Sequence, residues 1–596
     1  MYTLFTQKRF LAVFLAVFVG TIANAVPFQQ IIDDDAGLIF TIRNLTELRE
    51  QWSEHPIEGI FKDESLREWF RLQSDLKDVA DDESKTFFED IEDTFGLSED
   101  DFFELFPGQA GLAVYNLSGQ ILGNEEQVEF LGMAEFSGDE EQLQELMQIQ
   151  FEHNAKMQKE VNPLIEHDWV EETFMGETLH FDEIFDGEKT YVEDGYALVD
   201  GILVLATPES RLRHAVEMIK NGPEAPLSDL EPYRRSRDYS GRGDVALYVN
   251  LIKLMPRLNA KLGELPISGS FALFGITPQS LESALSLESL EGVFLDLDLI
   301  DEGILGYCGI LYSEKSGILS MLNYVEGDLP EARYVPDNIL NGSVTLFDIS
   351  AMYRSLEKIL GAASPQIVSM LDIQMQTAQT NTGVDLRASL LENFGTQIVG
   401  FSVLKEDAKN ASDLMQPQQV VVFDLKDAEA FGQALNALID SAQFVRPMIK
   451  ENTFEGETIY SIVTPGQTPE TEVEIHYTVT RSKFILTVGH IGLLHTVLSD
   501  MKNDSDGFWQ KPDVLALFER IEQPNAVSRG YYDMEQLITS LFELLADMNH
   551  FRGNSESLQS EAIPESLKGA YRLVLEANEA PDGLFARVLI VKDESK

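Results

Sequence analysis

The chain has 596 residues, with 101 acidic and 44 basic side chains, and its formal net charge is −57 at pH 7. A field of this sign repels phosphate backbones and anionic lipid headgroups, so the composition disfavours nucleic-acid binding and electrostatic docking on membranes. The apolar fraction of 44% is ordinary for a globular protein, so the acidic residues are expected on folded surfaces. Their runs predict solvated surface, with weak, diffuse divalent-cation binding as the alternative.

The first 25 residues have the three parts of an export signal. Lys8 and Arg9 precede an apolar run over residues 10–22, and the small-residue triplet Ala-Asn-Ala ends at Ala25. This order predicts a signal peptide over residues 1–25 with cleavage after Ala25, and hence an exported protein of the periplasm or the extracellular medium. The alternative is that the apolar run is retained as a membrane anchor. If the signal is cleaved, no stable membrane insertion is expected.

Cys308 is the one cysteine of the chain. An exported protein that has no second cysteine cannot form an internal disulfide, so its stability depends on burial of an apolar core. The apolar neighbours of Cys308 predict that it is a small core residue.

One six-residue phrase occurs twice, as TFMGET at residues 173–178 and as TFEGET at residues 453–458. The similarity continues downstream, where YALVDGILVLATPESRLRHAVEMIKNG follows the first phrase and YTVTRSKFILTVGHIGLLHTVLSDMKN follows the second. The dipeptide Asp200-Gly201 predicts a two-residue hairpin turn. Thr207 is predicted to cap the following helix, and Gly222 to end it.

The predicted apolar stripe of that helix recurs in the second copy at a constant displacement of 282 residues. In chain order the stripes are Leu212, Ala215, Val216 and Ile219, and Leu494, Val497, Leu498 and Met501. Position-by-position recurrence of a helical stripe is typical of an internal repeat.

Seven blocks recur in the same order, and they predict an α+β fold of two tandem homologous units. Each unit is expected to be a largely antiparallel sheet with hairpins, covered by amphipathic helices. The predicted boundaries are 26–313 for unit 1, 314–332 for a linker and 333–596 for unit 2. One helix of the first copy should begin with a capping box formed by Ser98 and Asp101.

The set FEGETIYSI, YTVTRSKFILTVGHIGLLHTVLSDMKND and RGYYDMEQLI resembles bacterial exported proteins of domain-of-unknown-function family 3352. The first copy has the same set in FMGETLHF, YALVDGILVLATPESRLRHAVEMIKNG and DVALYVNLIKLM. The resemblance covers most of both copies. It implies a bacterial cell-envelope or secreted protein with no assigned reaction, and it carries over no catalytic residue.

The repeated phrase has two interpretations. Gly176 and Gly456 suit a hairpin turn, after which the glutamates that follow them would begin the outgoing strand. The alternative is a duplicated ligand site, for which the candidates are Glu177, Thr178, Glu457 and Thr458. The sequence has no H-E-x-x-H motif and no phosphate-binding or G-x-S-x-G motif, so we expect no catalytic residue, no cofactor and no metal centre. His214 and His495 flank the apolar stripes, which predicts that they face solvent.

Three classes of function remain open. The first is a non-enzymatic scaffold or protein-binding module whose partner is another envelope or secreted protein. The second is a carrier or chaperone for an apolar ligand such as a lipid or a polypeptide, suggested by the stripe Phe87, Phe88, Ile91 and Phe95. The third is a hydrolase whose site has no sequence signature.

Overall fold

The computed structural model describes residues 27–53, 55, 56, 58, 91, 92, 94–115, 129–222, 224–241, 243–264, 274–404, 417–441, 446–464, 473–503, 506–534 and 570–593. The predicted signal peptide and its cleavage site after Ala25 lie outside these residues, as do Phe87 and Phe88. The fold is mixed helix and sheet, with extensive antiparallel strand pairing.

The chain divides into two compact units. Unit 1 comprises Met1–Lys261 and Leu290–Leu311, and unit 2 comprises Leu262–Ser289 and Tyr312–Lys596. Leu262–Ser289, which the repeat boundaries assign to the first copy, therefore groups with unit 2. One contact of this kind is the Ser364 hydroxyl, which donates to the carbonyl of Phe274. Sequence repeats mark related segments, whereas packing decides which segments share a compact unit.

The strands of unit 1 are, in chain order, β1 (Leu38–Ile42), β2 (Ala110–Val114), β3 (Phe130–Glu135), β4 (Glu166–Phe174), β5 (Glu177–Phe185), β6 (Thr190–Val199), β7 (Ile202–Thr207), β8 (Val245–Asn250), β9 (Leu290–Ile300) and β10 (Gly303–Tyr312). They pair in the order β4-β5-β6-β7-β3-β2-β1-β8-β9-β10. Every pairing from β4 through β9 is antiparallel.

The helices that begin in the residues of unit 1 are α1 (Leu45–Ser53), α2 (Glu99–Leu105), α3 (Glu140–Val161), α4 (Glu209–Asn221), α5 (Glu231–Ser240) and α6 (Leu251–Glu264). Two sets of helices cover opposite faces of the sheet. Leu212 of α4 packs beside Gly195 on one face. The next residue along β6, Tyr196, points the other way and joins a buried cluster with Phe102 of α2 and Leu143 of α3, because successive strand residues alternate between faces.

The strands of unit 2 are, in chain order, β11 (Asn341–Leu346), β12 (Phe394–Val403), β13 (Gln418–Leu425), β14 (Ile449–Phe454), β15 (Glu457–Thr464), β16 (Val473–Val479), β17 (Lys483–Val488), β18 (Ala526–Asp533), β19 (Ala570–Ala580) and β20 (Gly583–Asp593). They pair antiparallel in the order β14-β15-β16-β17-β13-β12-β11-β18-β19-β20. This is the strand order of unit 1 with every number increased by ten.

The helices of unit 2 are α7 (Pro278–Leu285), α8 (Ile349–Ala363), α9 (Pro365–Thr382), α10 (Leu386–Ser389), α11 (Ala428–Ser441), α12 (Ile491–Asn503) and α13 (Pro512–Glu519). The predicted linker at 314–332 contains a short 3-10 helix at Gly317–Met321, which packs against α7 and α8. Within the residues that the structure describes, no helix is both long enough and apolar enough to cross a bilayer.

The predicted hairpin turn at Asp200-Gly201 is confirmed. Val199 pairs with Ile202, and the two turn residues have φ of 50° and 82°, as a two-residue turn of mirror-image type requires. The capping box of Ser98 and Asp101 is also confirmed at the start of α2. Gly222 ends α4 with φ of 77°.

The predicted cap at Thr207 is wrong. Thr207 is the last residue of β7, where it is buried and pairs with Phe130. The N-cap of α4 is Pro208, and no side chain makes a capping hydrogen bond there. The strand continues one residue further than its local pattern predicts, because pairing with β3 holds Thr207 in extended conformation.

The recurring apolar stripes are confirmed as core. In each stripe the first three residues are buried and the fourth is half-buried. Ile91 is buried in the unit 1 cluster and Phe95 packs against it. Cys308 is a free, half-buried residue rather than a fully buried core residue, and its burial raises the pKa of the thiol.

Candidate functional site

The repeated phrase forms the same hairpin in both units. Met175 and Gly176 connect β4 to β5 with φ of 50° and 91°, and Glu455 and Gly456 connect β14 to β15 with φ of 52° and 91°. Two consecutive positive φ angles define the turn type that suits a two-residue hairpin. A Cβ on either glycine would meet nothing within 4 Å, so the backbone conformation favours glycine there. The predicted turn is confirmed, and the glutamate after each turn begins the outgoing strand.

The two glutamates have different surroundings. Glu177 Oε1 lies 2.6 Å from the Lys220 Nζ on α4, which also lies 2.8 Å from Asp200 Oδ1. In unit 2, Lys502 on α12 contacts Glu455 Oε2 at 3.2 Å instead. Glu457 therefore has no ion-pair partner among the described residues, and its carboxylate is available to a ligand.

Glu457 and Thr458 line a cleft of about 540 Å³ between α11 and strands β15 and β16. We call this the unit 2 cleft. Its walls are formed by Ala428, Glu429, Gly432, Gln433, Leu435, Asn436, Gly456, Glu457, Thr458, Tyr460, Tyr477, Val479, Thr480 and Arg481. The volume is in the range of small-ligand sites.

Two stacked tyrosines form part of the wall of the unit 2 cleft. The rings of Tyr460 and Tyr477 lie 5.0 Å apart at an interplanar angle of 14°. Tyr477 is only 5% exposed, and its hydroxyl has no hydrogen-bond partner in the described structure. Burial raises the pKa of Tyr477, so the hydroxyl stays protonated and can both donate and accept a hydrogen bond.

Unit 1 has a cleft at a different position, between the C-terminal half of α3 and β4. This unit 1 cleft has a volume of about 520 Å³ and is lined by Phe151, Glu152, Ala155, Lys156, Lys159, Glu160 and His167. Glu177 and Thr178 are not part of its wall. Of the four ligand-site candidates from the repeated phrase, the structure thus places two in a cleft, and both belong to unit 2.

His167, which lines the unit 1 cleft, belongs to a buried imidazole–carboxylate pair. His167 Nδ1 lies 2.9 and 3.0 Å from the two carboxylate oxygens of Asp182. The ring of Phe151 packs edge-on against His167 with centroids 5.9 Å apart. Because Nδ1 is bonded to Asp182, Nε2 is the ring nitrogen left for another group, and it is buried without a partner in the described structure.

A stacked aromatic pair lies next to the His167–Asp182 pair. His180 and Tyr196 face each other across β5 and β6 at 4.5 Å and 9°, as Tyr460 and Tyr477 do across β15 and β16. Burial lowers the pKa of His180, opposed by the nearby Glu171. Like that of Tyr477, the Tyr196 hydroxyl is buried and has no partner among the described residues.

Sequence reasoning did not identify these site residues. The detectable signal was the aromatic or imidazole side chain two positions after the repeated Glu-Thr, together with the tyrosine that opens each downstream block, Tyr196 and Tyr477. The pairing of His167 with Asp182 depends on strand register and had no local signature.

His214 and His495, which flank the apolar stripes, both have partners within the fold. His214 is exposed, as predicted, and its Nε2 lies 2.8 Å from Asp33 Oδ2. His495 is half-buried and stacks on Phe454 at 4.0 Å, so the prediction that it faces solvent is wrong: the hairpin covers that side of α12. In the part of the chain that the structure describes, no three His, Cys, Asp or Glu side chains are grouped to hold a metal ion.

No protein-family model matches the chain, and the search of curated proteins finds no match. Among solved structures, the chain is similar to crystal forms IV, I and III of TP0453, each at 12% sequence identity. The TM-scores are 0.21, 0.23 and 0.22, with 48%, 51% and 52% of this chain and 79%, 90% and 90% of that chain covered. Similarity at this level carries no argument about the fold or function of this protein.

Proposed function

We propose that the protein is an exported, non-enzymatic scaffold of the bacterial envelope or medium, built from two homologous units and similar to family 3352. The identical strand order of the units, their matched hairpin turns and their matched stacked aromatic pairs support the duplication. The strong negative charge supports a partner that is neutral or basic at its contact surface.

Unpaired sheet edges are the observation that carries the binding proposal. Among the described strands, β4 pairs only with β5 and β14 pairs only with β15. Each sheet therefore has an edge whose outward backbone groups have no strand partner. An extended segment of a partner protein can add to such an edge through main-chain hydrogen bonds.

The hairpin register identifies the outward backbone groups. Phe454 and Glu457 close the two-residue turn, and in such a turn the closing pair is hydrogen-bonded to each other. Because hydrogen-bonded and non-bonded pairs alternate along an antiparallel ladder, Glu451 directs its N–H to the open side. Glu171 has the same position in β4, three residues before Phe174.

The test uses proline to remove these outward N–H groups. Full-length protein carrying Glu171→Pro and Glu451→Pro is crosslinked in its native envelope beside wild-type protein, and captured proteins are compared quantitatively. Proline at an edge position whose N–H faces solvent leaves the ladder intact. We expect a specific partner to be lost from the proline variant.

The matched control carries Glu171→Ala and Glu451→Ala, which remove the same carboxylates and keep the backbone N–H groups. We expect the partner to be retained by this variant. Equal capture by wild-type, proline and alanine proteins would show that the edges are not the binding surface.

A carrier of apolar ligands is the second candidate, favoured by exposed apolar residues on α9. Met370 and Ile373 are 46% and 60% exposed, and α9 has no buried residue. The test is solvent extraction of protein purified from its native host, followed by mass spectrometry. Stoichiometric lipid that is lost on Met370→Glu and Ile373→Glu would favour the carrier over the scaffold.

A further inference from the structure

The unit 2 cleft contains polar side chains that have no partners within the described structure. Glu457 and Arg481 have no ion pair, and Asn436 makes no hydrogen bond through its amide. The remaining wall includes the Tyr460–Tyr477 stack. We propose that this cleft binds an uncharged saccharide, a ligand that is independent of the sheet-edge partner.

Hydrogen-bonding chemistry favours a ligand with several hydroxyl groups. A carboxylate only accepts, a guanidinium only donates, and an amide does both. Glu457, Arg481 and Asn436 thus present acceptors and donors together around one cleft. Each hydroxyl of a sugar donates one hydrogen bond and accepts others, so adjacent hydroxyls can satisfy all three side chains at once.

The tyrosines supply the apolar contact that a sugar ring needs. One face of a pyranose exposes C–H groups, which pack against the face of an aromatic ring. Tyr460 is half-buried at the cleft wall and is held in orientation by its stack on Tyr477. A ring fixed in this way loses little conformational freedom when the ligand binds.

The hydroxyl of Tyr477 is the second independent indication of a ligand. It belongs to a residue that is 5% exposed and lines the cleft, and it has no partner in the described structure. Buried polar groups in native proteins are nearly always hydrogen-bonded to protein, water or ligand. A sugar hydroxyl that reaches Tyr477 would satisfy this group.

The charges argue against an anionic ligand. The carboxylates of Glu429 and Glu457 and the guanidinium of Arg481 lie in the wall, so an anion would meet two like charges and a cation one. The net charge of −57 further repels anions from the whole molecule. An uncharged saccharide meets no like charge in the wall.

The test is isothermal titration of the full-length protein with chitotriose and maltotriose as neutral probes, trigalacturonate as the acidic probe and the glucosamine trimer as the basic probe. We expect at least one neutral trisaccharide to bind, and the acidic probe to bind at least tenfold more weakly. Absence of binding by both neutral probes at millimolar concentration, or stronger binding of either charged probe, would overturn the proposal.

Three substitutions assign the binding to the unit 2 cleft. Asn436→Ala and Arg481→Ala should each weaken binding about tenfold, because each removes a hydrogen bond to the ligand. Tyr477→Phe should weaken binding severalfold without lowering the thermal midpoint, since its hydroxyl has no partner among the described residues. Gln374→Ala, an exposed change on α9, is the matched control and should leave affinity unchanged. Unchanged affinity in all three cleft variants would refute the assignment, whatever the outcome of the sheet-edge experiment.

Discussion

The hairpins of the two units have the same backbone and different interiors. Counted from the turn, Trp169 opposite Asp182 in unit 1 corresponds to Ile449 opposite Ile462 in unit 2. Unit 1 therefore buries a carboxylate that is bonded to His167, where unit 2 has an isoleucine. Strand register and turn geometry are therefore the same in the two hairpins, while the side chains between helix and hairpin change from a polar cluster to apolar packing.

Breaking the buried pair of unit 1 should have the largest effect on stability. Asp182→Ala leaves the His167 imidazole buried without its carboxylate, and we expect a loss of about 3 kcal/mol in the free energy of unfolding. Urea denaturation followed by circular dichroism measures the loss. The double variant His167→Leu with Asp182→Ile imitates the apolar interior of unit 2 and should lose much less, because no buried polar group is left without its partner. Equal losses would show that the pair makes no specific contribution.

A second contrast concerns acids at the ends of two equivalent strands. Glu135 in β3 lies opposite Ile202, and burial raises the pKa of Glu135 to about 7. Asp424 in β13 lies opposite Lys483, whose Nζ is 2.5 Å from Asp424 Oδ1.

The raised pKa of Glu135 predicts a pH dependence of stability. Between about pH 4.5 and pH 7 the unfolded state binds fewer protons at Glu135 than the folded state, so stability should fall as pH rises. Glu135→Gln should remove this pH dependence, which amounts to about 1 to 3 kcal/mol in the free energy of unfolding between those pH values. Urea titrations at several pH values measure it. A steeper slope in the glutamine variant would contradict the assignment.

The shared turns should respond equally in the two units. Gly176→Ala and Gly456→Ala place a Cβ on residues with φ of 91°, which we expect to cost about 1 to 2 kcal/mol each. The physical reason is backbone strain, since neither Cβ would meet a neighbour. Thermal unfolding of each variant, with Gly383→Ala at the end of α9 as a control for another positive φ, tests this. Clearly unequal losses of stability in Gly176→Ala and Gly456→Ala would show that the two turns are not equivalent.

The smallest effect on stability is expected for the lysines that form ion pairs between a helix and each hairpin. Lys220→Met removes contacts with Glu177 and Asp200, and Lys502→Met removes the contact with Glu455. Partly exposed pairs of this kind contribute about 0.5 kcal/mol and are screened by salt. We expect each loss to diminish between low and high salt in denaturation experiments. A loss that is independent of salt would indicate packing by the lysine stem instead.

Local features of the fold could be predicted because their physical causes are local. The turn at Asp200-Gly201 follows from backbone conformations that those residues adopt readily, and the capping box of Ser98 with Asp101 lies within one helical turn. The stripe beginning at Leu212 follows from helical periodicity. For the same reason the hairpin interpretation of the repeated phrase was sound.

The candidate site was only partly predictable. Glu457 and Thr458 are candidates because their phrase recurs in the sequence. They differ from Glu177 and Thr178 because Lys220 pairs with Glu177 in unit 1, whereas Lys502 pairs with Glu455 in unit 2. The end of β7 at Thr207 differs from the prediction because pairing with β3 outweighs a local capping preference.

The acidic character of the chain, its turns, its helix caps and its apolar stripes follow from composition or from neighbours within a few residues, so the sequence is enough to predict them. The contact of Asp182 with His167, the contact of Lys502 with Glu455 rather than Glu457, and the burial of a Tyr477 hydroxyl that has no partner among the described residues depend on tertiary packing. Those contacts join residues on different strands and helices, so they exist only after register and packing have brought distant parts of the chain together.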